Sequence, residues 1–462
     1  MGGCHPGGLG RTSVPAVGRP SRTAGCRREG GCHHRREPRC VAPECAADRE
    51  ACGRVAAVTS AVSCLGRPGG PERAVAAVRR GDVEPRSRRF EDTELAAYLL
   101  RVVRGEERDA LAAGVRFGLS ALSLGYTGAT AALQAAYRCG LRTRERLPVP
   151  VISVGNIALG GSGKTPLTRW IAQRLTAAGL RVGLLLRGHG GTLVREGGIV
   201  SVGSGVLLSA SEAGDEAVMH ARALPAVSVA VGRDRVRMGR LLIGQAGAEV
   251  LVLDDGFQYW RLQRDLDVAL VPADDPFGNG RALPRGLLRE PPSRLRRADA
   301  LFVTHTERVS AGEVGCTIQR LERMAPVGTP IFTCQLRATC FASLSTGTTV
   351  PLDELRDRRV YLFSAIAANE QFACTAASLG LTVVGHRQLP DHFAYDRQAL
   401  PGVDDDARRL DADALVTTEK DAAKLKPDCV RTPTYVLRME LDICGQSAFE
   451  ACLLSAARSL VV

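Results

Sequence analysis

The chain has 462 residues, 45% apolar and 24% charged, which fits a protein with a packed core and excludes a fibrous or wholly disordered one. Its net charge of +12 is uneven: residues 1–90 carry 17 Arg against 8 Asp and Glu, a balance of +9 that leaves +3 for the other 372 residues. The overall basicity therefore gives no ground for a nucleic-acid partner, and none is expected.

Residues 1–89 are rich in Gly, Arg, Pro and Cys without sustained apolar periodicity. They are expected to be a disordered extension or to precede the true start of the protein. Cys26, Cys32, Cys40 and Cys45, beside His33 and His34, form no paired C-x-x-C units, so structural zinc is not expected. Nothing indicates an oxidised secreted framework, and a reducing cytosolic setting is expected.

Residues 90–147 read as helices. Leu95, Tyr98, Leu99, Val102 and Val103 recur at helical spacing and predict a helix over 92–112. Phe117–Tyr137 then runs 21 residues without a charge, bracketed by Arg116 and Arg138. As a helix it would be about 32 Å long, enough to reach across a hydrocarbon core. It is rich in Gly, Ala, Ser and Thr, so insertion is weak and association with a membrane surface is expected; a buried core helix and a true span are the alternatives.

From Pro148 the pattern alternates. VPVISVG, RVGLLLRG, AEVLVLDD, LDVALVPA and DALFVTHT are short apolar strands, and Thr165–Ala178 is helical with Leu167, Ile171 and Leu175 on one face. Continuous apolar runs joined by helices predict an α/β fold with a parallel sheet covered on both faces, over residues 148–345. A second set (RRVYLFSAI, a helix over Glu370–Leu379, TVVGHRQL, a helix around Asp404–Leu410, ALVTTEKD, TYVLRMEL) predicts a smaller α/β domain over 346–462.

The chemistry is concentrated in a few motifs. Gly160-Gly161-Ser162-Gly163-Lys164-Thr165 lies between a strand and a helix, the context a P-loop needs. Its backbone N–H groups and the helix N-terminus suit phosphate oxygens. Lys164 would reach the β- and γ-phosphates and the Thr165 hydroxyl would ligate Mg²⁺. The strict pattern has Gly where this chain has Ala158. Asp254-Asp255 ends an apolar strand, where carboxylates beside a P-loop are expected to hold Mg²⁺; a strand-ending Asp-Gly turn is the alternative. Gly214-Asp215-Glu216 and Pro390-Asp391-His392 alone read as a polar turn or cap and a structural His. Together they could supply a base, an Asp oriented by a His.

Lysine usage sharpens this. Of 61 basic residues only four are lysines: Lys164, Lys420, Lys424 and Lys426. A lysine kept against such a bias marks a place where a compact ammonium does what a guanidinium cannot. Lys164 sits in the phosphate motif; Lys424 and Lys426 read as surface residues.

The ordered set PVISVGN, GGSGKTP, RGHGG, SEAGDEA, GRDR, LDDGFQ, FGNGRALPRGLLREP, PDHFAY and TTEKDAAKL resembles the tetraacyldisaccharide 4'-kinase family over roughly residues 90–460. The resemblance implies a P-loop kinase that uses ATP and Mg²⁺ to phosphorylate the 4'-hydroxyl of an acylated glucosamine disaccharide 1-phosphate, forming lipid IV-A. It implies work at the cytoplasmic face of the inner membrane, with an N-terminal helix as anchor. Position by position, Asp215 matches the proposed base and His392 the histidine that assists it. Glu216, Asp254 and Asp255 match acids around the metal, and Arg289 and Glu290 match a pair serving the site. Ala217, His189, Gly191 and the Ala365–Asn369 segment depart from the family pattern and bear on local loop geometry. The rivals are a P-loop GTPase and a nucleotide-gated binding protein. Leu425 stands where a guanine-reading [NT]KxD box needs Asn or Thr, which disfavours GTP.

Both Lys164→Ala and Lys164→Arg are expected to lower kcat/KM by about 10²-fold or more, because a forked guanidinium cannot replace a point charge at a phosphoryl group. Phosphate transfer from labelled ATP measures it, and a fully active Arg variant would refute the argument from lysine scarcity.

Overall fold

The computed structural model describes residues 98–458 apart from 100, 104, 108, 367, 391–392, 394, 396–398 and 426–429. The amino-terminal extension with its cysteines and histidines, His392 and Lys426 lie outside the described residues. The first half contains α1 (Ala110–Arg138), β1 (Val151–Asn156), α2 (Lys164–Ala177), β2 (Val182–Leu186), β3 (Gly198–Val202), α3 (Ala210–Ala213), α4 (Asp215–Ala223), β4 (Ser228–Val231), α5 (Arg235–Ala246) and β5 (Val250–Asp254). Then come β6 (Leu266–Pro272), β7 (Ala300–Thr304), α6 (Ala311–Met324), β8 (Ile331–Ser343) and β9 (Thr349–Val350). The rest is β10 (Arg359–Ser364), α7 (Asn369–Ser378), β11 (Thr382–Gln388), α8 (Ala399–Arg409), β12 (Ala414–Thr418), α9 (Glu419–Ala422), β13 (Thr434–Cys444) and α10 (Gln446–Arg458).

The strands form one thirteen-stranded sheet in the order β11-β10-β12-β13-β8-β7-β6-β1-β5-β2-β4-β3, with β9 beside β8. Neighbours are parallel except β8–β13, β8–β9 and β3–β4. β1, β5 and β7 are buried at every residue, as continuous apolar runs in a parallel sheet must be. β1 is the switch point: the chain leaves it for β2 beyond β5 and later returns to β6 on its other side. Ligands of such sheets bind at the carboxyl ends of the strands around that point.

β8 and β13 make a long antiparallel ribbon that carries the sheet from the P-loop half into the carboxy-terminal half. α10 closes back on the P-loop half. Its Phe449 packs against Trp170 of α2 at 5.6 Å and Phe302 of β7 at 4.7 Å between ring centroids. Phe341, Val360, Leu362, Phe372 and Val416 form a separate core under the carboxy-terminal strands.

The helix expected over 92–112 stops earlier. Residues 101–103 are helical, Gly105 has a φ of 83°, and Asp109 caps a new helix by accepting from the Ala112 N–H at 2.6 Å. That helix, α1, covers the whole uncharged run. Its inward face is polar: Ser123 donates to Ala282 O at 2.9 Å, Tyr126 to Arg289 O at 3.0 Å and Gln134 to Glu290 Oε2 at 3.0 Å. Its large apolar residues point away, with Leu111, Phe117, Leu122 and Leu124 each more than 60% exposed. Among the described residues no helix is long and apolar enough to cross a membrane.

Candidate active site

The site sits at the carboxyl ends of β1 and β5. Gly155 lets the two strand ends close on each other: a Cβ there would lie 2.6 Å from Phe257 Cβ and 2.7 Å from its backbone nitrogen. Gln258 donates to Asn156 O at 2.7 Å, so the residues after the acid pair are tied to the start of the phosphate loop. Within the loop, Asn156 donates to Ser162 Oγ at 2.8 Å and Thr304 of β7 donates to Ser162 O at 3.0 Å. His305 Nε2 lies 3.0 Å from Gly161 O. Gly163 caps α2, which begins at Lys164, so the loop leads into a helix N-terminus as the motif predicts.

Lys164 Nζ lies 3.7 Å from Asp255 Oδ1 and 3.5 Å from Ser162 Oγ. Arg289 grips the same carboxylate with both bonds from one nitrogen, 2.8 Å to Oδ1 and 2.7 Å to Oδ2. Arg235, itself buried, donates to Asp255 O at 3.0 Å and stacks on Tyr259. Burial alone would raise the Asp255 carboxyl, but Lys164, Arg289 and Arg235 outweigh it and hold the group below the usual carboxylate range. Asp254 is buried and turned the other way: Thr168 of α2 donates to Oδ1 at 3.3 Å, and His220 Nε2 of α4 faces Oδ2 at 3.3 Å.

The second pair of acids opens α4. Gly214, with a φ of 88°, allows the sharp entry into the helix; a Cβ there would strike His189 O at 2.3 Å. Asp215 and Glu216 then occupy the first turn, where the helix dipole favours negative charge. Desolvation within the cleft, and next the Asp254 charge, push the Glu216 carboxyl upward against the pull of His220, Lys420 and Lys164. Glu216 nonetheless keeps contact with solvent.

The carboxy-terminal half contributes the TEKD segment. Thr418 donates to Asp421 Oδ2 at 2.6 Å, and the buried Asp421 accepts from the Ala365 N–H at 3.1 Å. Glu419 bridges Arg169 of α2 at 2.9 Å and Arg438 of β13 at 2.6 Å. Arg222 of α4 donates to Ala423 O. The result brings Lys424 Nζ within 3.4 Å of Asp215 Oδ2. Lys424 is thus no ordinary surface residue, being only 11% exposed. All three described lysines face the acid cluster. Lysine scarcity was the signal that could have found Lys424; nothing in the sequence singled out His220 or Thr168.

A cleft of about 1380 Å³ opens beside the phosphate loop, lined by Thr165, Arg169, Glu216, Arg337, Lys420 and Arg438 among others. That exceeds the roughly 300–1,000 Å³ of ordinary ligand pockets. Of the sequence-predicted residues Thr165 and Glu216 line this cleft; Lys164, Asp255 and Arg289 form one cluster, and Asp215 is met by Lys424. Glu290 stands apart: it is 2% exposed and locked to Arg297 at 2.6 and 2.8 Å and to Gln134 of α1.

A family model described as Tetraacyldisaccharide-1-P 4'-kinase matches residues 115–458. The chain belongs to this family. A tetraacyldisaccharide 4'-kinase of Syntrophus aciditrophicus is 41% identical over 315 residues, 67% of this chain and 84% of the relative. That of Pelobacter propionicus is 36% identical over 378 residues, 80% of this chain and 99% of the relative. A crystal structure of LpxK from Aquifex aeolicus, described as an "apo" form in complex with ATP, is similar with a TM-score of 0.61 at 31% identity, covering 74% of this chain and 99% of that one. In this chain the two members of the family's Arg-Glu pair part company: Arg289 faces the acids and Glu290 faces α1.

Glu290→Gln is therefore expected to destabilise the fold by on the order of 3 kcal/mol, because Arg297 keeps a half-buried charge without its partner. kcat of the folded protein should change less than about twofold, since no transition-state contact is lost. Thermal unfolding and turnover on the same preparation check it; a large kcat defect at unchanged stability would return Glu290 to the catalytic group.

Proposed function

We propose that this cleft transfers the γ-phosphate of ATP to the 4'-hydroxyl of an acylated glucosamine disaccharide 1-phosphate, giving lipid IV-A, at the cytoplasmic face of the inner membrane. The observation that carries the reading is the meeting of a P-loop lysine, two strand-end acids and the Asp215–Glu216 turn beside one large cleft. ATP phosphates would lie on the N–H groups of Gly160–Thr165 and the α2 N-terminus, with Lys164 against the β- and γ-phosphates. Phosphoryl transfer asks the protein mainly for positioning and charge stabilisation, which this cationic wall provides.

Among the described residues no three His, Cys, Asp or Glu side chains form a cation cage. Mg²⁺ escorting a nucleotide needs only one or two carboxylates, the phosphates and water supplying the rest, so a donor set of the Thr165 hydroxyl with Asp254, Asp255 and Glu216 fits it. When bound, the ion neutralises charge on the β- and γ-oxygens. Asp254 is held for such a role by Thr168 and His220, whereas Asp255 lies against Arg289 and Lys164.

Asp215 is assigned as the base. In a loose transition state the proton leaves late, so the carboxylate acts by orienting the attacking hydroxyl as much as by basicity. His392, outside the described residues, is assigned from the family pattern as its assistant. The lobe formed by 346–462 would supply that histidine and the TEKD lysines across the cleft and exclude water from the transfer.

The membrane is read from α1, whose polar face is turned inward and whose apolar face is turned out. A soluble helix does the opposite. Exposed Leu and Phe side chains on a helix resting against the site suit an interfacial position beside an acylated substrate.

Asp215→Ala is expected to lower kcat by about 10²-fold or more while the ATP Kd changes little. The assay is transfer of labelled phosphate to purified disaccharide 1-phosphate in detergent micelles, and wild-type kcat in the variant would sink the assignment. For the membrane, Leu122→Glu with Leu124→Glu is expected to shift at least about half of the protein from sedimenting vesicles to the supernatant, since a charge on the buried face of an interfacial helix opposes insertion. Unchanged sedimentation would remove α1 from that role.

A further inference from the structure

Among the described residues Lys424 pairs with the assigned base, and it does so from the other half of the chain. Its Nζ lies 3.4 Å from Asp215 Oδ2 and donates to Phe393 O at 3.1 Å. Phe393 belongs to the PDHF segment, so a single ammonium spans the α4 turn and that segment. The lysine does not swing freely. Its backbone N–H donates to Asp421 O at 2.9 Å, and Asp421 is pinned to Thr418 and Ala365. On the opposite side Arg222, two turns along α4 from Asp215, holds Ala423 O. The Glu419–Leu425 stretch and α4 are therefore clamped side by side by one ion pair and one charged hydrogen bond.

We infer that Lys424 is a positioning residue for the phosphoryl-transfer reaction, holding the Asp215 carboxylate and the Phe393 carbonyl in one geometry. The inference rests on the reading of Asp215 as the base. An ammonium offers three donors from one atom, so two acceptors from different segments can share it. A guanidinium spreads its donors over a planar fork and would need more room between them. That is a physical reason for lysine here in a chain with four lysines among 61 basic residues. Arg169 and Arg438, which hold Glu419 in the same segment, show that arginine serves where no such sharing is required.

The test is a double-mutant cycle on kcat with saturating ATP and lipid in micelles, using the wild type, Lys424→Met, Asp215→Asn and the double variant. Lys424→Met is expected to lower kcat about tenfold with the ATP Kd within about twofold, because the lost contact orients a reacting group and not the nucleotide. In the Asp215→Asn background the same change should cost less than about twofold, since the two act as one unit. Lys424→Gln keeps a donor for Phe393 without the charge and should stay defective, and Lys424→Arg should recover less than half of the loss. Wild-type turnover in Lys424→Met, restoration by Gln, or an equal loss in both backgrounds would each overturn the role, the last marking a purely structural tether. Wild-type turnover in Asp215→Asn alone would overturn the base assignment itself, which separates the two failures.

Discussion

Carboxylates gathered in one cleft repel one another, and the site depends on how that repulsion is balanced. Asp254 and Asp255 arrive from the end of β5; Asp215 and Glu216 arrive from the start of α4. Each is answered differently. Asp255 takes full cations, Lys164 and Arg289, and is held ionised. Asp254 takes a hydroxyl and an imidazole in a buried pocket. Asp215 takes Lys424 from the carboxy-terminal half, and the α4 dipole favours both acids of its first turn. Glu216 is left with its charge disfavoured, first by desolvation and next by the Asp254 charge. The opposite shifts of Asp255 and Glu216 show unlike surroundings pushing like groups apart in acidity.

The same balance joins the two halves. β8 and β13 carry the sheet across, but a ribbon of half-exposed strands fixes direction better than distance. Charged contacts also join the halves: Glu419 with Arg169, Asp215 with Lys424, and a hydrogen bond from Arg222 to Ala423 O. Several of these lie on the cleft wall, where bound phosphate would compete for the same cations. Such pairs are weak one by one. A set of them can hold the halves in register and still yield to a ligand.

Much of this was legible in the sequence. The phosphate loop and the strand-end acids were read from residue type and context, and Asp215 and Glu216 chiefly from the family resemblance. The continuous apolar runs gave the parallel strands, because strands covered on both faces leave no other pattern. What stayed hidden has physical reasons. β3 is a short edge strand opening on glycine, and β8 alternates between buried and half-exposed positions, so neither shows a sustained run. The helix expected across 92–112 failed because Gly105 and the Asp109 cap interrupt a periodicity that continues past them. Lys424 was taken for a surface residue because nothing local marks it. Its meaning depends on Asp215, more than two hundred positions away in the chain, and only the fold supplies that distance.

The Arg289–Glu290 pair shows how chemistry and location are joined. Arg289 holds Asp255 through its guanidinium, while its own carbonyl accepts from Tyr126 of α1. Glu290 points away from the acids and accepts from Gln134 of the same helix. Arg297 completes the support, binding Glu290 and the Phe257 carbonyl and lying 3.5 Å over the Phe257 ring. Two adjacent residues thus touch the acid cluster on one side and α1 on the other. A helix that turns its polar face inward cannot be held by apolar packing, so these hydrogen bonds are what fasten it. They leave its leucines and phenylalanine free to face whatever apolar surface the substrate comes from. A displacement of α1 would be felt first at the Arg289 carbonyl, one residue's length from the carboxylate that Lys164 faces.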